Sequence, residues 1–365
     1  MNEDKAARYH RLRRQAVIAS TLFGAAWLGG LYASGASQGL ARAAMRAGAA
    51  MPAPLASAAA IVLVVAVLAG GYELIALPIA AYRGWFLERR YGLSTESLHQ
   101  WLRDHVKGFA LGLILAAAAA LVLYACVHLA GRWWWAAAAG LFSLVTVVLA
   151  TAAPVLLMPL FYRFTPLDRD GLRDRLLALC ASAKVPVLGV FEWGLGEKST
   201  RANAALVGMG RTRRILLSDT LLAGYSDDEI AVVLAHELAH HVHHDLWSGL
   251  ALETATMAAA LFAAARVVEH PGDLAALPLL ALVFGAASVV LTPLANAWSR
   301  HNERRADRFA LDLTGLATPF ISAMRRLATQ NLADERPSPL TYWFFHSHPT
   351  IEERIAQAKT GIASP

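Results

Sequence analysis

Apolar positions along this 365-residue chain fall into six long runs, at 16–33, 55–82, 109–131, 133–161, 246–268 and 274–297. Each is close to or above the roughly 20 apolar residues that cross a bilayer as a helix. Two polar blocks interrupt them, at 83–107 and 162–245, and a polar tail follows position 298. The first run comes after Lys5, Arg8, Arg11, Arg13 and Arg14. It is longer than the roughly 7–15 residues of a signal-peptide core, so it reads as an uncleaved signal anchor.

Inside the second polar block the period changes. Leu172, Leu176, Leu177 and Leu179 recur at helical spacing, and the Lys-Val-Pro at 184–186 ends that helix. The stretches VLGVFEWG (187–194) and RRILLSD (213–219) read as short strands. Ser226 with Glu229 three residues on is a capping box, and it starts a helix that runs into AHELAHHVHHD at 235–245. The expected fold is mainly α: a multipass bundle of six membrane helices with a small α+β domain. The expected divisions are 1–161 with four spans, 162–245 as the polar domain, 246–297 with two spans, and 298–365 as a helical continuation of the polar domain.

Composition supports the bilayer. Only 16% of residues are charged and 56% are hydrophobic, whereas an ordinary soluble domain is roughly a quarter charged. The formal charge is +6, with 28 arginines and 5 lysines among the 33 basic residues. They sit beside apolar runs, which suits lipid headgroups, and no nucleic-acid motif accompanies them. Arg83, Arg89, Arg90, Arg103 and Lys107 follow the second span, whereas the opposite loops hold only Arg42, Arg46, Arg132 and Arg266. This bias places the N-terminus, both polar blocks and the tail on one side, expected to be cytoplasmic. Alanine richness and arginine in preference to lysine suit a GC-rich bacterial genome, hence an inner (plasma) membrane. Cys126 and Cys180 form no CxxC and read as reduced thiols without a chemical role. Glu73 lies in the second span and needs a cavity or a polar partner there.

The chemistry is concentrated at 235–245, where five histidines and one glutamate occur in eleven residues. His236, Glu237 and His240 form HExxH. Residues four apart share one helix face, so His236 and His240 can hold one ion. Glu237 projects about 100° away from His236, beside the ion and close to an attacking water. Zinc lowers the pKa of a water it binds to about 7, and a carboxylate can then take the proton. His241, His243 and His244 read as polar residues where the chain meets the membrane.

A catalytic zinc needs a third protein ligand and an open position. Glu303 and Asp307, four apart in SRHNERRADRFALDL (299–313), are the candidates: Glu303 as ligand, Asp307 as the group that holds a ligating histidine by its second ring N–H. Taken alone, these acids would simply pair with Arg300, Arg304 and Arg308 on a surface helix. Two spans separate this segment from HExxH, and an even number of crossings returns it to the same side. Two imidazoles and a carboxylate suit zinc, one ion per chain.

At these residues the chain resembles the type I CAAX prenyl proteases, integral-membrane zinc metallopeptidases of the gluzincin kind. LERRYGLSTESLHQWLRDHVKG (87–108), MPLFYRFTPL (158–167), STRANAALVGMGRTRRILLSDTLL (199–222), HExxH, ExxxD and HSHPTIEERI (346–355) follow in the family's order. The resemblance implies His236, His240 and Glu303 as zinc ligands, Glu237 as general base and Asp307 behind the ligands. It implies Asn203 on an edge strand that pairs with substrate, His348 as donor to the oxyanion, and Arg354 nearby. It further implies membrane helices around a chamber, closed on the cytoplasmic side by the protease domain, and a peptide or protein substrate that is possibly prenylated. The extra span and the longer insertion before HExxH of the family's eukaryotic members are missing, and the aromatic after the Asn-Ala pair is Ala205 here. Two alternatives stay open: a quality-control metalloprotease acting on misfolded membrane proteins, and a non-enzymatic transporter or scaffold with a metal-binding helix.

Overall fold

A computed structural model of the chain, which describes residues 4–362, turns the apolar runs into long helices. Helices α1 (Lys5–Ala33), α2 (Ala36–Gly48) and α3 (Ala53–Ala81) open the chain. A π-helical turn at Tyr82–Phe86 and the short α4 (Leu87–Arg90) continue α3, and then come α5 (Leu98–Ala130) and α6 (Trp134–Leu156). The stretch Leu98–Ala152 is long enough for a span by itself, but it is two helices. The chain reverses between them at Gly131, where φ is 51°, a conformation glycine adopts without a Cβ clash. Large apolar side chains stay on the outside of this bundle, Leu74, Leu129 and Val290 among them, as lipid contact requires.

Helix α2 is not one of the six apolar runs. Its buried face is Ser37, Ala41, Ala44 and Gly48, a stripe of small residues at helical spacing. Small side chains let it lie close against α3: a methyl group at Gly48 would strike the Ala56 carbonyl. At 13 residues it is too short to span a bilayer at about 1.5 Å per residue.

The polar domain follows with β1 (Phe164–Pro166), α7 (Asp170–Ser182), β2 (Gly189–Trp193), β3 (Ala204–Val207), β4 (Arg214–Ser218), α8 (Asp219–Gly224) and α9 (Asp227–Val242). Helix α7 and strands β2 and β4 lie where the sequence pattern places them. The sheet order is β1-β2-β4-β3, with β2 and β4 parallel and the other neighbours antiparallel, so β3 is an edge strand. Two spans then intervene, α10 (Asp245–Val267) and the first part of α11 (Leu277–Thr314). Helices α12 (Ala317–Gln330), α13 (Pro339–Phe345) and α14 (Ile351–Ile362) complete the domain. Helix α11 is continuous for 38 residues through Pro293, so the sixth apolar run and the polar segment after 298 belong to one helix.

The domain core forms between the sheet and α9. Ile230, Val232, Leu234 and Leu238 of α9 are fully buried against Ile215, Leu217, Leu221 and Phe320. Full burial of each such side chain contributes about 1.5–3 kcal/mol, which holds the helix carrying HExxH in one orientation. Ionic ties join the polar blocks at the same end of the molecule. The Tyr9 hydroxyl donates to Glu88 (2.5 Å), Arg201 donates to the Tyr9 hydroxyl (2.8 Å), and Lys198 pairs with Asp104. Arg14 pairs with Asp334 at 2.8 Å. The N-terminus, the 83–107 block and the polar domain therefore share one side.

Candidate metal centre

Helix α9 starts at the capping box. The Ser226 N–H donates to Glu229 Oε2 (2.8 Å), and the Glu229 N–H donates to Ser226 Oγ (3.3 Å). From that start, one face of α9 enters the core and the neighbouring face turns His236 and His240 toward α11. There Glu303 is 5% and Asp307 0% exposed.

Glu303 reaches both imidazoles: Oε2 is 3.2 Å from His236 Nε2, and Oε1 is 3.6 Å from His240 Nε2. One donor atom from each of His236, His240 and Glu303 lies within 4.8 Å of the other two. Ligands placed about 2.0–2.1 Å from a tetrahedral ion stand roughly 3.4 Å apart, so the spacing fits. Glu303 Oε2 is buried with the imidazole nitrogens of His236 (3.2 Å) and His348 (2.9 Å) beside it, a donor set that suits a cation. These residues suit a metal ion.

Behind each imidazole stands an aspartate with an arginine. Asp307 Oδ1 is 2.9 Å from His236 Nδ1, and Arg354 grips Asp307 through Nε (2.8 Å) and Nη2 (2.5 Å). On the other side, Asp245 Oδ2 is 2.9 Å from His240 Nδ1, and Arg305 binds the second Asp245 oxygen. The sequence reading missed Asp245 and Arg305. Asp245 sits five residues past His240, beyond the helix, and reaches back only because His244 takes a left-handed conformation (φ 57°) between α9 and α10.

Electrostatics follow from burial. Burial opposes charge on His236, but the Asp307 and Glu303 carboxylates outweigh it and lift the imidazole to about 9. Burial pushes the Glu237 carboxyl up, and the two histidines only partly offset that. A carboxylate raised toward neutrality is a better proton acceptor at working pH.

Glu237 opens onto a cavity of about 640 Å³, lined also by Asn203, His236, Glu303, His348 and Arg354. The structure thus brings every expected site residue except His240 and Asp307 to this cavity wall, and those two contact its members. His348 Nδ1 is 2.9 Å from Glu303 Oε2, with its side chain 63% exposed. Asn203 lies one residue before β3 on the sheet edge. Its amide N–H donates to Ser218 Oγ and its carbonyl accepts from the Ser218 N–H, both at 2.9 Å.

The other histidines serve the packing. His241 Nε2 lies 3.0 Å from the Leu206 carbonyl and ties α9 to β3. His243 meets the Phe309 ring edge to face at 5.5 Å between centroids. Among the described residues, the alternative pairing of Glu303 and Asp307 with Arg300, Arg304 or Arg308 does not occur. Arg300 donates to the Tyr342 and His346 carbonyls, and Arg304 pairs with Glu353. Glu73 has a partner the sequence reading did not name, His105 at 2.5 Å, whose ring stacks on Trp101.

The model of peptidase family M48 matches residues 166–362, which is more than half of the chain. The chain belongs to this family. A second model, described as the CAAX prenyl protease N-terminal region with five membrane helices, matches residues 2–163. In that stretch lie the four long helices α1, α3, α5 and α6, together with the shorter α2. This M48 chain is 30% identical over 305 residues to an uncharacterized metalloprotease, YhfN, of Bacillus subtilis, covering 80% of the chain and 71% of that protein. It is 30% identical over 293 residues to the CAAX prenyl protease 1 homolog of Arabidopsis thaliana, covering 76% and 68%. Its fold is similar to the crystal structure of S. mikatae Ste24p, with a TM-score of 0.83, 21% identity, and coverage of 97% and 87%. The chain is a multipass membrane metalloprotease of the CAAX prenyl protease type.

Proposed function

We propose that this M48 chain is a zinc endopeptidase of the inner membrane, with its active site on the cytoplasmic side, that trims C-terminal residues from prenylated proteins. The observation that carries the zinc assignment is the convergence of both imidazole Nε2 atoms on the buried Glu303 carboxylate, one on each oxygen. His236, His240 and Glu303 hold the ion, and Asp307 and Asp245 fix the imidazoles so that their Nε2 atoms face it. Bound zinc supplies Lewis acidity toward the scissile carbonyl and the attacking water. Glu237 takes the proton from that water and later hands it to the leaving amine. His348, exposed on the cavity rim, donates to the oxyanion as it forms. The substrate lies extended along the exposed edge of β3 near Asn203, adding a strand to the sheet. Arg354 neutralises Asp307 and keeps the buried carboxylate ionised.

The basic residues gathered at the end of the molecule that carries the domain support the cytoplasmic side. Prenylated tails are favoured by the likeness to the plant CAAX prenyl protease 1 homolog. The deciding experiment is hydrolysis of a farnesylated CAAX peptide by detergent-solubilised protein, with Glu237→Gln alongside. Cleavage by wild type alone supports both mechanism and substrate. Cleavage of unprenylated membrane-protein fragments in preference to the farnesylated peptide moves the assignment to quality control. Equal cleavage by both proteins refutes the role of Glu237.

A further inference from the structure

The cavity that meets Glu237 has a second, basic end. Besides the metal-site residues it is lined by His10, Arg13 and Arg14 of α1, by Arg83 of the π-helical turn, and by Asp334. Arg14 is taken by Asp334 at 2.8 Å, and His10 Nε2 lies 2.5 Å from the Leu332 carbonyl. Among the described residues, Arg13 and Arg83 have no carboxylate within 4.0 Å. Other basic residues of the same interface do have partners: Arg89 donates to the Glu96 carbonyl (2.7 Å) and lies over Trp85, and Arg103 pairs with Asp104 at 3.5 Å. Three arginines against one aspartate leave this end of the cavity with a charge of +2. The π-helical turn follows Pro78 by one turn and changes the angular phase of the helix at Arg83.

We infer that Arg13 and Arg83 take the α-carboxylate of the substrate's C-terminus, so that the enzyme measures its cut from the chain end. This rests on reading the cavity as the peptide site. Two guanidinium groups offer planar paired donors that match a carboxylate in charge and shape. At the metal-site end Arg354 matches Asp307 and the ion would match Glu303 and Glu237, so the unmatched positive charge of this cavity lies at the arginines. At about 640 Å³, the cavity accommodates a short peptide end and excludes a folded domain. A protein chain that enters with its terminus in this space presents one obligatory anion, its α-carboxylate. The same chemistry also suits a phospholipid headgroup at the interface, and the experiment separates the two.

Binding is measured on the Glu237→Gln protein, so that hydrolysis does not intervene. The probes are a fluorescent farnesylated peptide with a free C-terminal carboxylate and the same peptide as its amide, in zwitterionic detergent. The acid is expected to bind about tenfold more tightly than the amide, as one charge-assisted pairing is worth. In Glu237→Gln/Arg13→Gln/Arg83→Gln, acid and amide are expected to bind alike. Binding of the amide reports that the variant is folded, and lysine at both positions restores part of the preference. Equal binding of acid and amide before the arginines are changed overturns the inference. So does a preference that survives their removal. Loss of both peptides only in vesicles containing phosphatidylglycerol also overturns it and assigns the arginines to headgroups. A wild-type protein that cleaves neither peptide, while the Glu237→Gln form still prefers the acid, refutes the prenylated-tail substrate and leaves the carboxylate site standing.

Discussion

The two histidines of HExxH are supported by the same kind of relay built in two ways. His236 leans on Asp307, which is held by Arg354, and these groups come from α9, α11 and α14. His240 leans on Asp245, which is held by Arg305, and that aspartate lies only five residues further along the chain. The first relay is sealed: the Asp307 side chain is wholly buried and Arg354 is 11% exposed. The second is open, with Arg305 40% exposed. A buried arginine–aspartate pair is held in place by the packing around it, and removing one partner leaves a charge with nowhere to go. When Asp245 is removed, the partly exposed Arg305 can turn to water. The first relay should therefore govern both metal affinity and folding, and the second mainly the orientation of one imidazole.

The largest effect sets the baseline for this comparison. Replacing Glu237 with Gln is expected to lower turnover by at least about 10²-fold while both relays and the metal content stay intact. Peptide hydrolysis beside metal analysis of the purified protein reads this directly. Metal loss in that variant would mean that Glu237 supports the ion itself.

Asp307→Ala comes next. Metal affinity should fall by about 100-fold, the upper end for a group behind a ligand. The melting temperature should fall too, because Arg354 is left buried without its carboxylate. Competition against a chelator and thermal melting in detergent test the two halves separately. Asp245→Ala should lose only about tenfold in metal affinity and melt nearly as the wild type does. Equal losses in the two alanine variants would break the distinction between a sealed and an open relay.

The smallest effect concerns the start of α9, which aims both histidines. Burial alone would raise the Glu229 carboxyl, but hydrogen bonds from Ser322 and Ser226 and the charge of Arg326 outweigh it and hold it below its ordinary 4.5. The folded-state pKa is thus depressed, so its stabilising contribution is present above about pH 4.5 and lost as pH falls through the folded value. Glu229→Gln should lower the melting temperature at pH 7, where that contribution is present, and flatten its decline on the acid side, where wild type loses it too. An unchanged acid limb in that variant would remove Glu229 from the account.

Much of this was legible beforehand. The six apolar runs announced six helices, because a helix in lipid must be apolar for its whole length. His236 and His240 announced a shared face, because 3.6 residues per turn stacks every fourth side chain. Helix α2 escaped notice, since its signal is a stripe of small residues and not hydrophobicity. Asp245 escaped because it lies beyond a helix break, and periodicity says nothing across a break. The role of Arg300 could not be guessed, since a surface helix dense in charge offers many equivalent pairings.

What the sequence determined by itself is therefore local: where helices run, which polar block each span returns to, and which two imidazoles share a face. Helical geometry and the cost of bare backbone in lipid act over a few residues and leave their mark in order along the chain. Tertiary structure alone decided how Glu303, named from the sequence as a candidate ligand, passes over the arginines around it and reaches both histidines of α9. It also decided that Asp245 and Arg305 complete a second relay, and that Arg13 and Arg83 share a cavity with Glu237. Those choices depend on how helices pack across separations of 60 to 224 positions, and nothing in the local pattern records that packing.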